Sequence, residues 1–543
     1  MMVDVVVVGG GHNGLVCAAY LARAGLDVVV VERAERPGGA LLWTDWQGFR
    51  LERGALEHTS ILTTGVLEEL DLAAHGLTYW CRTTNGTHMF GDGTRIVIEE
   101  TAEATAASIE QVSPADAAAW MELGARSQPV LRAFALASDG WVPPPAIANG
   151  FARVVAGRGA EPLIELTRMS VAELAMRWFE SPYVRAMAMF RAVFSGLAPW
   201  TPGSAGAFLL TVAGHGRRVG RPVGGSQALV DALCAVVGAA GGTVRCGFDV
   251  VSVRRTGSSW LVRSGAGEEV SARRVVSAMA PRPFLLDVLD GDVPRRVRQR
   301  ATDVQEVADN LSQLTLAVAI DDATVLPALG RDDLDTATMW LLSDPTAATQ
   351  VATAAQFGQV PRSPGTLVTF PSRVDPSAAP VGSATMWANA FTPRRLAGRS
   401  WAEAADEAAA GVWRTIDACL PGIRAHAVHE VLTNPDDLTA LTGADNAGSH
   451  VAPTLRQTLG WRPAAGLGNY RTPVDGIYLT GAGTHPGSSV SGAPGRACAR
   501  AILDDVGLAG RRLDRQRRVA GQVVAAVRAA RAVGRGDRAD VDG

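Results

Sequence analysis

Val5-Val6-Val7-Val8-Gly9-Gly10-Gly11-His12-Asn13-Gly14 is the stretch whose reading decides the fold. Four β-branched residues ended by glycine have the pattern of a strand buried on both faces of a parallel sheet. The glycines match G-x-G-x-x-G, Leu15 to Ala24 reads as a helix ended by Gly25, and a second apolar run from Val28 to Val31 closes on Glu32. Each glycine has a distinct physical task. Gly9 permits the tight turn, Gly11 lets the backbone approach a pyrophosphate, and Gly14 lets helix and strand pack closely. Phosphate charge would sit at the helix N-terminus, lined by the backbone of His12 and Asn13. Glu32 follows at the spacing of an acid that accepts from ribose hydroxyls, which disfavours a 2′-phosphate. The stretch therefore predicts a dinucleotide-binding β-α-β unit. Arg33 and the later Gly38-Gly39-Ala40 extend it beyond what a simple nicotinamide site needs.

Composition narrows the function further. The chain has 543 residues with 51 basic and 54 acidic side chains, a net charge of −3, which predicts no nucleic-acid partner. All 51 basic residues are arginine, so Schiff-base chemistry, a phosphate-loop lysine and a lysine base beside a flavin are closed. The six cysteines form no C-x-x-C pair, and no histidines are spaced to hold a metal. With no signal-like N-terminus and no apolar run of membrane-spanning length, a reduced cytosolic protein is the expectation. Hydrolase and kinase readings fall away, because neither a Ser-His-Asp set nor a phosphate loop of the kinase kind is present.

Distant segments read as parts of the same site. Pro222-Val223-Gly224-Gly225 precedes a helix from about Gln227 to Val237, and Val250–Val253 and Val275–Ser277 read as strands. Near the C-terminus, Gly476–Thr480 reads as a strand that enters Gly481-Ala482-Gly483-Thr484-His485-Pro486-Gly487. Ser491–Gly495 then opens a helix through Ile502, whose N-terminus could face a ligand, with Arg496 and Arg500 on its polar side. Together with Gly48-Phe49-Arg50-Leu51-Glu52-Arg53-Gly54 and Tyr470–Pro473, these pieces resemble the phytoene desaturase-like FAD-dependent oxidoreductases of the flavin amine oxidase superfamily. The similarity lies close to the branch of pyridine nucleotide-disulfide oxidoreductase domain-containing protein 2, although the chain lacks both a dithiol and a second G-x-G-x-x-G.

The resemblance implies an α/β protein with a Rossmann-like FAD-binding domain and an interleaved α+β substrate domain. It implies FAD with Glu32 on the adenosine ribose, the Gly9–Gly14 turn on the pyrophosphate and Gly38-Gly39 near the ribityl chain. Arg33, Ala40, Arg53 and Gly54 border the same cofactor, Val250 touches the adenine through its backbone, and Gly483 and Val490 lie against the isoalloxazine. The FAD domain is expected from residues 1–70, 216–290 and 421–505, the substrate domain from 71–215 and 291–420, and a basic tail from 506–543. Ala278 and Ala280 stand where the carotenoid desaturases often carry Asn and Asp, a departure that argues against a carotenoid itself.

In the substrate half, helix starts are marked by Ser113-Pro114, Ser170 with Glu173, Ser181-Pro182 and Ser400 with Glu403. Met176, Trp178, Phe179, Met187, Met189, Phe190 and Phe194 suit either a packed core or a soft-walled pocket for a long apolar substrate. Short strands at 314–320, 338–342, 366–370 and 383–389 suggest a sheet roofing the cofactor. His58 and His485, inside cofactor-facing segments, are the candidate proton acceptors; each also suits a structural hydrogen bond. Only one complete dinucleotide fingerprint exists, since Gly157-Arg158-Gly159 lacks a leading strand and a third glycine, so no stable NAD(P) site is expected. Val519, Val523 and Val527 allow a basic amphipathic helix, leaving peripheral membrane contact as an alternative to a solvated tail. The expected activity is making or removing C=C bonds in a hydrophobic, polyene-like small molecule, in a bacterial natural-product setting. Redox ring formation on a polyene tetramate macrolactam, amine oxidation and a non-catalytic flavoprotein remain the alternatives.

Overall fold

The computed structural model describes residues 2–58, 60–82, 86–138, 165, 167–215, 219–291, 293–326 and 338–508. The Gly157–Gly159 segment and the basic tail beyond residue 508 lie outside the described residues.

Met2–Val8 forms the centre of a seven-stranded sheet, parallel to Val28–Val31 on one side and to Glu269–Ser277 on the other. Thr243–Arg245 extends the sheet beyond Val28–Val31, and Ile477–Leu479 joins in parallel to Val275–Ser277. The period of two in the first strand divides two cores: Val5 and Val7 pack with the helices His12–Arg23 and Gln227–Ala239, whereas Val6 and Val8 pack with Phe248, Phe284 and Leu285. Two glycines set the layer spacing. A Cβ on Gly14 would stand 2.2 Å from the Gly9 carbonyl oxygen, and one on Gly495 would stand 2.2 Å from that of Asn13. The second contact seats the C-terminal helix Ala493–Asp505 directly on the first helix.

A second seven-stranded sheet is built in the order 427–433, 311–320, 384–393, 366–369, 339–342, 86–90, 95–98. The sequence boundary at 421 places Ala427–Thr433 in the dinucleotide unit, but this strand pairs with Leu311–Ile320 and belongs to the roof. The return to the first unit therefore comes later in the chain. Helix Trp401–Cys419 covers the outer face of this sheet through Trp413 and Ile416. Its capping box, Ser400 with Glu403, and that of Ser170 with Glu173 both form. Register across the sheet is the feature that matters for the site. Thr315 opposes Asn389, Asn389 opposes Leu367, Leu367 opposes Trp340, and Trp340 opposes His88, so five residues from five strands form one lateral row.

Candidate functional site

One cavity of about 870 Å³ lies between the two sheets, and the glycine segments and the lateral row both open onto it. Its floor starts at the N-terminus of His12–Arg23. Gly11 is the N-cap and no side chain caps this end, so first-turn N–H groups are left for a ligand. Gly9, Gly11, His12, Asn13 and Gly14 all line the cavity. A Cβ on Gly11 would meet nothing nearer than Gly39 Cα at 3.9 Å, so protein packing does not explain that glycine; an approaching ligand does. Buried Nε2 of His12, Oδ1 of Asn13 and Nδ1 of His450 also have no hydrogen-bond partner. These are the marks of a surface shaped for a polar group that fills the groove, and they fit the pyrophosphate and ring of a flavin dinucleotide.

At one end of the groove are Glu32, Arg33 and Val250. Glu32 is fixed by the Gly10 N–H at 2.7 Å and the Ala34 N–H at 3.0 Å, which leaves its carboxylate lining the wall where a ribose would lie. Arg33 donates to the Ala440 carbonyl. At the other end are Gly39, Ala40, Gly54 and Val490. Gly54 is required by crossing backbones, since a Cβ there would fall 1.9 Å from the Ala40 oxygen.

Five of the residues singled out from sequence stand behind the lining. Gly38 holds the turn, with a Cβ there 2.8 Å from the Leu41 oxygen. Arg53 donates to Thr433 Oγ1 at 3.2 Å, and Gly483 packs on Pro281. His58 is fully buried, its Nδ1 hydrogen-bonded to the Tyr79 hydroxyl at 2.8 Å, and burial, followed by nearby His12, lowers its pKa to about 3. His485 is 2% exposed, with its carbonyl accepting from the Tyr470 hydroxyl at 3.0 Å. Neither histidine is part of the cavity wall. The N-terminus of Ala493–Asp505, expected to face a ligand, is likewise absent from the wall; it is spent on helix packing at Gly495. Arg496 is buried rather than on a polar face, because it pairs with Glu69 at 3.2 Å and donates to the Thr64 carbonyl.

Among the lining residues that the sequence reading missed are His450 and Arg462. His450 sits in a left-handed turn with φ 57° and is half-buried on the cavity wall, where desolvation lowers its pKa to about 4. Arg462 donates to the carbonyls of Ser449 at 2.8 Å, Val451 at 3.0 Å and Ala482 at 2.7 Å, tying the His450 turn to the C-terminal glycine loop. No motif marks either; their placement follows from loops that meet only in the folded chain.

The roof side is aromatic. Trp340, Trp387 and Phe391 line it from the second sheet and Phe194 from the helix Pro182–Phe194. Phe194 lies edge-on to Trp340 with ring centres 4.6 Å apart. Of the seven Met, Trp and Phe residues singled out in the helical region, only Phe194 lines the cavity. Phe179, Met187 and Phe190 are core, and Met176 is exposed. Among the described residues no group of His, Cys, Asp or Glu side chains could hold a metal, and no helix is long and apolar enough to cross a membrane.

Residues 14–503 match the family model described as flavin containing amine oxidoreductase. The chain is 29% identical to pyridine nucleotide-disulfide oxidoreductase domain-containing protein 2 of Rattus norvegicus, over 93% of this chain and 94% of that one. It is 28% identical to a phytoene dehydrogenase of Streptomyces griseus, over 90% and 92%. A solved structure of putrescine oxidase bound to putrescine superposes with a TM-score of 0.63 at 18% identity, over 93% of this chain and 99% of that one.

Proposed function

The chain belongs to the flavin-containing amine oxidoreductase family and is an FAD-dependent oxidoreductase, and from that premise we propose that it makes or removes a C=C bond in an elongated, largely apolar small molecule. The observation that carries this reading is the single cavity in which the glycine-lined groove runs directly under an aromatic roof. FAD supplies the two-electron chemistry when bound. The chain's own residues bind and orient. The uncapped helix at Gly11 would hold the phosphates, Glu32 would accept from the ribose hydroxyls, and Gly39, Gly54 and Val490 would border the flat ring.

Trp340, Phe194 and Phe391 hold an apolar substrate and exclude water from the reacting C–H bond. We assign the proton-acceptor role to His450, which lines the cavity, is neutral at physiological pH and has a buried ring nitrogen without a partner, features it shares with His12 and His88. His58 and His485, one layer further back, are positioning residues in this reading. An amine substrate is disfavoured by charge. Arg191 lines the aromatic end, while Glu57, an acid of the same cavity, is already paired with Arg221 at 2.9 Å. A substrate ammonium would meet a like charge there.

The test is anaerobic flavin bleaching by a panel of elongated alkenes and their saturated counterparts, set against primary amines and NADPH. Bleaching or re-oxidation by a member of the apolar panel supports the reading. Bleaching by amines with no response to the apolar panel would replace it with amine oxidation.

A further inference from the structure

The lateral row on the roof is not uniform. Its middle, Leu367 and Trp340, is apolar; its two ends are polar. At the near end Thr315 donates to the Arg53 carbonyl at 2.9 Å, which anchors the roof beside the Gly54 stretch of the floor. At the far end is His88, three strands away from Asn389, which is about 14 Å at the usual inter-strand spacing. His88 therefore stands at the opposite end of the row from the Thr315–Arg53 contact.

His88 is 2% exposed, lines the cavity, and has a buried Nδ1 with no hydrogen-bond partner. It stacks on Trp340, with ring centres 5.6 Å apart. The Arg191 guanidinium lies 4.8 Å from the same Trp340 ring and 5.8 Å from that of Phe194, and it too lines the cavity. Burial and the neighbouring Arg191 lower the His88 pKa to about 3, so the ring is neutral and able to donate one hydrogen bond. A buried ring nitrogen without a partner costs stability unless something that enters the cavity satisfies it. A purely hydrocarbon substrate leaves it unsatisfied.

We propose that His88 and Arg191 form an anchor for the oxygen-bearing terminus of the substrate, a carboxylate foremost, so that the substrate is an apolar chain with one acidic end held about 14 Å along the roof from Asn389. The proposal deepens the reading of the cavity as a substrate site and rests on it. It binds no atom covalently and assigns no redox step to either residue. The aromatic walls fix the body of the chain, and the polar pair fixes its register along the row, which decides which C–H bonds reach the floor.

The experiment is titration of the FAD-loaded protein with decanoate, decanol and decane, followed through the visible flavin band and flavin fluorescence. Decanoate is expected to bind about tenfold or more tighter than decane, with decanol between. Two variants keep shape while removing the polar group: His88→Phe preserves stacking on Trp340, and Arg191→Met preserves the stem. Both should retain FAD content and thermal stability, bind decane unchanged, and lose most of the preference for decanoate. Equal binding of the three probes, or an unchanged preference in both variants, would overturn the anchor while leaving the substrate reading intact. Failure of all three to perturb the flavin would overturn the anchor and the substrate reading together, and loss of FAD from either variant would reassign the pair to cofactor binding.

Discussion

The two sheets that enclose the cavity contribute to it by opposite means. The first offers backbone: glycines at 9, 11, 14 and 39, an uncapped helix end and one carboxylate fixed by main-chain N–H groups. The second offers side chains: a tryptophan, an asparagine, a leucine, a threonine and a histidine aligned across five strands. Backbone recognition tolerates almost no change in side-chain volume, because the missing Cβ is what creates the site. Side-chain recognition tolerates exchange, because strand pairing survives whatever points into the cavity. One wall is thus fixed by what any such dinucleotide demands, and the other is free to set what is processed.

The sharpest way to break this contrast is Gly14→Val. Its Cβ would overlap the Gly9 carbonyl, so the first turn cannot close; a loss of about 4 kcal/mol or more, seen as little folded protein by circular dichroism, is expected. Gly11→Val meets open space instead. This variant should fold with near-normal melting yet carry little FAD by absorbance, and full flavin content would show that the floor does not hold the pyrophosphate. His450→Ala should slow flavin reduction by about 10²-fold with FAD retained, whereas His58→Ala should slow it less. The reverse order would return the proton-transfer role to His58.

Acid sensitivity separates the walls less strongly. Burial holds His12 and His450 near 4 and His58 and His88 near 3, below the ordinary 6.5, so the unfolded chain binds more protons than the folded one as pH falls below that value. Stability is therefore lost on acidification, by roughly 2 kcal/mol per imidazole at pH 5, and urea unfolding of His88→Phe should show a correspondingly weaker pH dependence. Glu52 acts in the opposite sense: burial raises its carboxyl to about 7, so its contribution fades as pH rises through that value. The smallest effect belongs to the roof. Asn389→Leu removes a buried amide oxygen without a partner and should leave melting unchanged or slightly raised, while FAD content stays full.

This contrast also explains what could be read in advance. The β-α-β unit, Glu32 and the Gly481–Val490 loop were legible because their chemistry is local: glycine, turn and helix start follow one another in the chain. The Val5–Val8 alternation, invisible as a pattern of four identical residues, still gave a buried parallel strand. The roof was legible only as strands, since Thr315, Asn389, Leu367, Trp340 and His88 are brought together by register, which no short window contains. One signal was available. Asn389 interrupts a strand whose ten residues are all buried, and a polar residue there asks for a partner. His450 and Arg462 offered none, because their loops acquire meaning only where Arg462 gathers four carbonyls.

The pairing of Ile477–Leu479 with Val275–Ser277, and the seating of Gly495 on Asn13, carry a consequence for biogenesis. The sheet that begins at residue 2 is not completed until a strand some 475 residues later has been made and threaded beside it. During synthesis the Val275–Ser277 edge must wait, open, for a partner some 200 residues further along the chain. Such distant pairing slows folding and lengthens the interval in which exposed strand edges can find the wrong neighbour. Loss of residues 477–505 would thus remove more than a peripheral element: it would leave the first sheet without the strand and helix that close it.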